Sequence, residues 1–234
     1  MKRLTVVIPA FNEVKTIERV LERVRAAALP DGVDLEIVVV DDASTDGTQA
    51  KLEELAASGE VAFKLVKHGE NQGKGAALRS GFAAATGDFV LVQDADLEYH
   101  PRDYPVLLQP LLEEGADVVY GSRFLGGPHR VLFFWHYQGN KLLTLMSNMF
   151  TDLNLSDMET GYKVFRKEVL DKLTLNSNRF AIEPEMTAKV SKQRVRIYEV
   201  PISYAGRTYA EGKKIGWKDG VAAVWAIVRY NLFR

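Results

Sequence analysis

Five short apolar runs rich in β-branched residues, at 4–9, 35–40, 63–66, 89–92 and 117–120, alternate with stretches of helical length at 16–28, 48–57, 74–85 and 102–114. Such runs suit strands of a sheet buried on both faces and are too short for independent helices. The segments between them are long enough to carry the chain back across the sheet. Right-handed crossovers then give a mainly parallel, Rossmann-like sheet flanked by helices, so the alternation restricts the chain to the α/β class. The rhythm ends near Gly126-Gly127-Pro128. An aromatic-rich segment at 131–150, irregular turns, one strand at 196–201 and a terminal helix at 217–234 follow. No repeat, low-complexity tract or linker intervenes, and a single domain over 1–234 is expected, with 126–234 elaborating on 1–125.

Composition narrows the function classes. With 47% hydrophobic residues among 234, the chain can build a large core, and a formal net charge of −1 supplies no general basic field for nucleic acid. The absence of cysteine excludes a disulfide scaffold, thiol catalysis and thiolate zinc sites, and fits a reducing compartment. Met1-Lys2-Arg3-Leu4 enters a strand with no signal-like apolar region, and no uninterrupted apolar stretch approaches ~18 residues. A cytoplasmic chain without a transmembrane span is expected, with contact to the cytoplasmic face of a membrane left open.

In open parallel sheets, ligands bind outside the carboxyl ends of the strands. The first strand is followed by Pro9-Ala10-Phe11-Asn12-Glu13, the second by Asp41-Asp42-Ala43-Ser44-Thr45-Asp46-Gly47, the fourth by Asp94-Ala95-Asp96-Leu97-Glu98 and the fifth by Gly121-Ser122-Arg123. Carboxylates at i, i+2 and i+4 are hard oxygen ligands for Mg²⁺ or Mn²⁺ that leave coordination positions for phosphate, although acidic residues after a strand also cap helices. Asp41 and Asp42 suit either a capped turn or acceptance of hydrogen bonds from a nucleoside, with Asp46-Gly47 as the turn itself. Gly69-Glu70-Asn71-Gln72-Gly73-Lys74-Gly75 is one residue short of a P-loop and lacks its hydroxyl, which excludes an NTPase of that type. It still opens a helix, where Lys74 can approach an anion.

Together these segments resemble the inverting family 2 glycosyltransferases of the GT-A fold, in the branch of dolichol-phosphate mannose synthases and related polyprenyl-phosphate glycosyltransferases. The opening strand and loop at 7–13, the turn at 39–48, Asp94-Ala95-Asp96, Gly121-Ser122-Arg123 and Asp157-Met158-Glu159-Thr160-Gly161-Tyr162-Lys163 follow the family's order. The resemblance implies a nucleotide-sugar donor, GDP- or UDP-hexose, bound by 1–125 through Pro9, Ala10, Phe11, Glu13, Asp42 and the Asp94-Ala95-Asp96 motif. It implies a metal on Asp94, Asp96 and the residue two beyond, which is Glu98 here where the family commonly has Gln. Arg123, Arg207, Lys213 and Lys214 match positions that close over the phosphates, although Gly212-Lys213-Lys214 departs from the family's Gly-x-Ser-Lys. Asp157 matches the position of a general base in a single inverting displacement on an acceptor held by 126–234. A lipid phosphate, largely dianionic at neutral pH, is already nucleophilic, whereas a hydroxyl needs that base.

Residues 131–150 are too apolar for a solvated helix, and 217–234 set Trp217, Trp225, Tyr230 and Phe233 among Lys218, Arg229 and Arg234. Residues 204–234 carry six Lys/Arg against two Asp/Glu, which favours an anionic surface. These stripes suit a membrane interface, a core or an oligomer contact equally. Transfer to a glycolipid or soluble hydroxyl, and a non-catalytic nucleotide-sugar-binding scaffold, are the competing functions. A nucleotidyltransferase is disfavoured because the first loop is not Gly-rich.

Overall fold

A computed structural model describes residues 1–131, 133–208 and 217–233, apart from the side chains at 217 and 218. Seven strands form one sheet: β1 (Lys2–Ala10), β2 (Val33–Asp41), β3 (Lys64–Lys67), β4 (Phe89–Val92), β5 (Val118–Ser122), β6 (Lys163–Arg166) and β7 (Ile197–Pro201), in the order β3-β2-β1-β4-β6-β5-β7. Only β6 runs antiparallel to its neighbours. All six strands expected from the sequence form, within two residues of the expected bounds at either end.

The helices are α1 (Ile17–Arg25), α2 (Thr48–Ser58), α3 (Lys74–Ala84), α4 (Tyr104–Leu112), α5 (Phe134–Thr151), α6 (Lys167–Leu170), α7 (Ile182–Lys192) and α8 (Trp217–Leu232). In α1 the buried residues Ile17, Val20, Leu21 and Val24 recur at helical spacing and face the sheet. Alternation along β1 fills two cores. Leu4, Val6, Ile8 and Ala10 join the cluster containing the apolar residues of α1 and α4, while Val7 joins the one containing those of α3 and α7. The expected helix over 102–114 begins later, because Pro101–Asp103 forms a 3₁₀ turn before α4.

Strand β6 is the departure from the βα rhythm. Inserted antiparallel between β4 and β5, it presents its amino end where β1, β2, β4 and β5 present their carboxyl ends. The turn at 157–162 that leads into it therefore lies on the ligand-bearing edge. Two segments from opposite halves of the sequence meet there only because this strand is reversed.

Candidate active site

Backbone geometry concentrates at this edge. Asn12, Ala43 and Leu97, one in each of the loops after β1, β2 and β4, adopt positive φ of 56°, 57° and 66°, a conformation that L-residues rarely take and that clusters at functional sites. The first two loops are tied together: Asn12 N donates to Ser44 Oγ at 3.0 Å and Thr45 N to Asn12 Oδ1 at 2.8 Å. Asp46 accepts from the backbone of Thr48 and Val14, which makes it the turn residue the sequence suggested.

The two aspartates after β2 separate in role. Asp42 accepts from Gln72 N (3.0 Å) and Gly73 N (2.7 Å) and pairs with His68 Nδ1 (2.7 Å), whose Nε2 meets Ser80 Oγ at 2.8 Å. The N–H groups preceding α3 thus already hold an internal anion. Asp41 is fully buried; its Oδ2 accepts from Ser44 N at 3.3 Å, and its Oδ1 has no hydrogen-bond partner among the described residues. A buried carboxylate oxygen without a donor is destabilising, so Asp41 is the one of the pair suited to take a donor from a ligand.

The three carboxylates after β4 are held by cations. Lys74 Nζ lies 2.8 Å from Asp94 Oδ1, and Arg207 Nη2 lies 2.9 Å from Asp96 Oδ2. Glu98 turns toward Tyr204, whose hydroxyl donates to Oε2 at 2.7 Å, and toward Arg207, whose N and Nε donate to Oε1 at 2.8 and 3.3 Å. Arg207 Nη1 also comes within 4.0 Å of Glu13 Oε2, so one guanidinium touches the first and fourth loops together. Burial, with Asp94 and Glu98 nearby, raises Asp96 to about 7 despite Arg207.

Among the described residues no group of three or more His, Asp or Glu side chains is preassembled for a metal. Asp94 and Asp96 nonetheless fit a hard divalent cation: they are oxygen donors two residues apart whose mutual repulsion a cation relieves. Approach to Asp94 is kept open by Gly161, where an added Cβ would lie 2.4 Å from Asp94 Oδ2. Glu98 is committed to Tyr204 and Arg207. Below them, Tyr104 and Tyr162 hydroxyls both donate to Gln93 Oε1, and Tyr99 stacks on Tyr162 with centroids 4.6 Å apart, a rigid floor that sequence reading missed.

Asp157 is fully buried. Its Oδ2 accepts from Arg123 N (3.1 Å) and Nε (2.6 Å), and its Oδ1 from Arg123 Nη2 (2.7 Å) and Asn140 Nδ2 (3.2 Å). The Arg123 guanidinium lies over the rings of Phe124 and Tyr204. Two residues on, Glu159 is pushed up to about 7 by burial and by Glu183. Pro9, Ala10, Phe11 and Ala95 line the same edge, with Phe11 about one-third exposed. Lys213 and Lys214 lie outside the described residues.

Helix α5 packs Leu143 and Met146 on the core, sets polar residues beside them and leaves an apolar stripe on its outer face. Asn140, Thr144 and Asn148, spaced four apart, face inward: Thr144 Oγ1 accepts from Met158 N, and Asn148 bonds both N and O of Leu155. Trp135, Leu142, Leu145 and Met149 face outward, the first 79% exposed. Helix α8 packs beside α5 and adds exposed Val221, Trp225 and Leu232. Thirteen of the eighteen exposed large hydrophobics among the described residues lie in 131–150 and 217–233. No described helix is long and apolar enough to cross a membrane.

The sequence profile of glycosyl transferase family 2 matches residues 5–174. A dolichol-phosphate mannosyltransferase of Pyrococcus furiosus is 31% identical over 217 residues, 92% of this chain and 60% of that protein. An undecaprenyl-phosphate 4-deoxy-4-formamido-L-arabinose transferase of Pseudomonas fluorescens is 30% identical over 210 residues, 90% of this chain and 59% of that protein. The chain thus spans about three fifths of the length of these curated relatives. Among solved structures, glucosyl-3-phosphoglycerate synthase of Mycobacterium tuberculosis, in complex with Mn²⁺, UDP and phosphoglyceric acid, superimposes with a TM-score of 0.76 at 23% identity, covering 100% of this chain and 80% of that one.

Proposed function

This chain belongs to glycosyl transferase family 2 and has the GT-A fold, and from that premise we propose that it transfers a hexosyl group, with inversion, from a nucleotide-sugar donor to a polyprenyl phosphate. The observation that carries the choice of acceptor is Asp157. Both its oxygens are engaged by Arg123 and one also by Asn140, so it is poorly placed to take a proton from a hydroxyl. It is well placed to orient a guanidinium. An acceptor phosphate needs no base and is complementary to that guanidinium. Both curated relatives carry names of polyprenyl-phosphate enzymes, which supports the same acceptor.

In this reading Asp41 takes a donor from the nucleoside, and Lys74 and Arg207 leave their carboxylates for the diphosphate. Asp94 and Asp96 would hold Mg²⁺ or Mn²⁺, which would supply positive charge to stabilise a departing diphosphate. Glu98 is assigned to anchoring Arg207. An acceptor phosphate oxygen forms the new bond at the anomeric carbon as the bond to the nucleoside diphosphate breaks on the opposite face. Arg123, oriented by Asp157, fixes the acceptor.

The exposed stripes of α5 and α8 are assigned to peripheral contact with the membrane that holds the lipid. An outer face rich in exposed large apolar side chains is the reverse of what water alone would select. The assay is direct: purified protein, Mn²⁺, and GDP- or UDP-hexoses are offered polyprenyl phosphate in vesicles, or soluble and glycolipid hydroxyl acceptors, with products identified by mass spectrometry. Glycosyl phosphate lipid is expected. Product only on hydroxyl acceptors refutes the acceptor, and no turnover or metal-dependent binding of any nucleotide refutes the donor site.

A further inference from the structure

Behind the candidate metal ligands runs a buried row of alternating charges. Lys74 Nζ lies between two carboxylates, 2.8 Å from Asp94 Oδ1 and 3.2 Å from Glu183 Oε1. Glu183 Oε2 is in turn held by Lys163, whose ammonium also donates to Thr160 O in the turn before β6. Lys163 is fully buried, and the Glu183 side chain is 5% exposed. Lys74 is thus the one ammonium within ion-pair distance of both carboxylates among the described residues.

A lysine ammonium beside Asp94 competes with any divalent cation for the same carboxylate. Its claim on Asp94 is divided, because Glu183 Oε1, which is buried and closes no hydrogen bond, attracts the same ammonium from 3.2 Å. Lys163 fixes one oxygen of Glu183, which keeps the other directed at Lys74. We propose that Glu183 is a positioning residue of the donor site that draws Lys74 away from Asp94 and so leaves that carboxylate available to a divalent cation. This inference rests on the reading of Asp94 as a metal ligand.

The test is Mn²⁺ affinity of the whole chain, measured by electron paramagnetic resonance of free Mn²⁺, in wild type, Glu183→Gln, Lys74→Gln and the double variant, with folding followed by circular dichroism. Removing Glu183 leaves Lys74 to pair with Asp94 alone, and Mn²⁺ binding is expected to weaken about 10- to 100-fold, the range for groups that orient metal ligands. Lys74→Gln should tighten Mn²⁺ binding, and Glu183→Gln/Lys74→Gln should match Lys74→Gln, because the effect passes through Lys74. A structural role alone would leave the double variant as impaired as Glu183→Gln. If Glu183→Gln fails to fold because Lys163 is left unpaired, Glu183→Gln/Lys163→Met removes that buried charge and must show the same weakening. Unchanged Mn²⁺ affinity in a folded variant lacking Glu183, or a loss that persists without Lys74, overturns the inference. Wild-type protein that binds no Mn²⁺ instead overturns the assignment of Asp94 and Asp96, and the two failures are distinct.

Discussion

Gly161→Ala places one methyl group directly against a candidate metal ligand. The added Cβ would lie 2.4 Å from Asp94 Oδ2, 3.1 Å from Tyr99 Cε2 and 3.3 Å from Asp94 Cγ, the first about 1 Å inside ordinary contact. Tyr99 is buried and stacked on Tyr162, and its hydroxyl accepts from Gly161 N at 2.8 Å, so the ring cannot yield. Relief must come from Asp94, whose other oxygen is tied to Lys74. Overpacking of this kind costs about 1–3 kcal/mol. At about 2–4 °C per kcal/mol for a chain of this size, the melting temperature should fall by about 2–12 °C. A reacting group displaced by about 1 Å loses on the order of 100-fold in rate, so kcat should fall by far more than the stability change implies. Gly220→Ala, whose Cβ would meet nothing within 4 Å, is the control. Thermal melts with and without Mn²⁺, calorimetry with Mn²⁺ and nucleotide, and steady-state turnover report the three effects. A Gly161→Ala protein that binds Mn²⁺ and nucleotide within twofold of wild type and turns over normally would refute the assignment of Asp94.

Asp157→Asn should retain turnover with a phosphate acceptor to within about 100-fold but show a raised acceptor KM, since Arg123 loses its orienting charge; complete loss of kcat with unchanged KM would restore Asp157 as a base. Glu159, raised to about 7, keeps a proton in the folded state that the unfolded chain releases near its ordinary value of 4.5. The folded state therefore binds more protons between those values, stability falls as pH rises across that window, and Glu159→Gln should flatten the fall in denaturant titrations by at most one proton's slope; identical slopes in the two proteins would contradict it. Leu142→Glu/Leu145→Glu should lower co-flotation with anionic vesicles by more than tenfold, since each leucine loses about 1.5–3 kcal/mol of apolar burial, while leaving metal-dependent nucleotide binding intact; undiminished flotation would remove the membrane assignment.

What the sequence made legible follows from local physics. The strands before residue 125 alternate with helices at short range, and each ends in polar residues that the parallel topology gathers at one edge, so Asp41, Asp42, Asp94, Asp96 and Arg123 could be placed without coordinates. Strand β6 was not legible, because Lys163-Val164-Phe165-Arg166 is four residues long with a charge at each end. The alternating apolar signal of a strand is absent, and Lys163 is buried only because Glu183, twenty residues away, supplies its counter-ion. Helix α7 and Glu183 were missed for a related reason: Ile182–Lys192 mixes Glu183, Pro184 and Glu185 into its first turn and reads as irregular, although a pair of glutamates opening a helix suits its dipole. The roles of Asp42 and Asp157 depend on partners 17 to 34 residues distant and had to await the structure.

These partners give the site a single electrostatic theme. Each acidic group that the sequence marks for a ligand already has a partner, Asp41 on one oxygen only: Ser44 N for Asp41, Gln72 and Gly73 amides with His68 for Asp42, Lys74 for Asp94, Arg207 for Asp96 and Glu98, and Arg123 for Asp157. Unpaired carboxylates at this depth would be destabilising or would hold protons, as the raised Asp96 and Glu159 show even with cations near. In the proposed reading a metal and a diphosphate arriving together would exchange these internal pairs for external ones with little change in net charge, Asp94 and Asp96 turning to the cation and Lys74 and Arg207 to the phosphates. A metal alone would displace Arg207 with no phosphate to receive it and leave Lys74 to Glu183 only, and a nucleotide alone would draw both cations off while leaving Asp94 and Asp96 uncompensated. Either ligand should therefore bind more tightly in the presence of the other, and by the reciprocity of linkage the two enhancements must be equal.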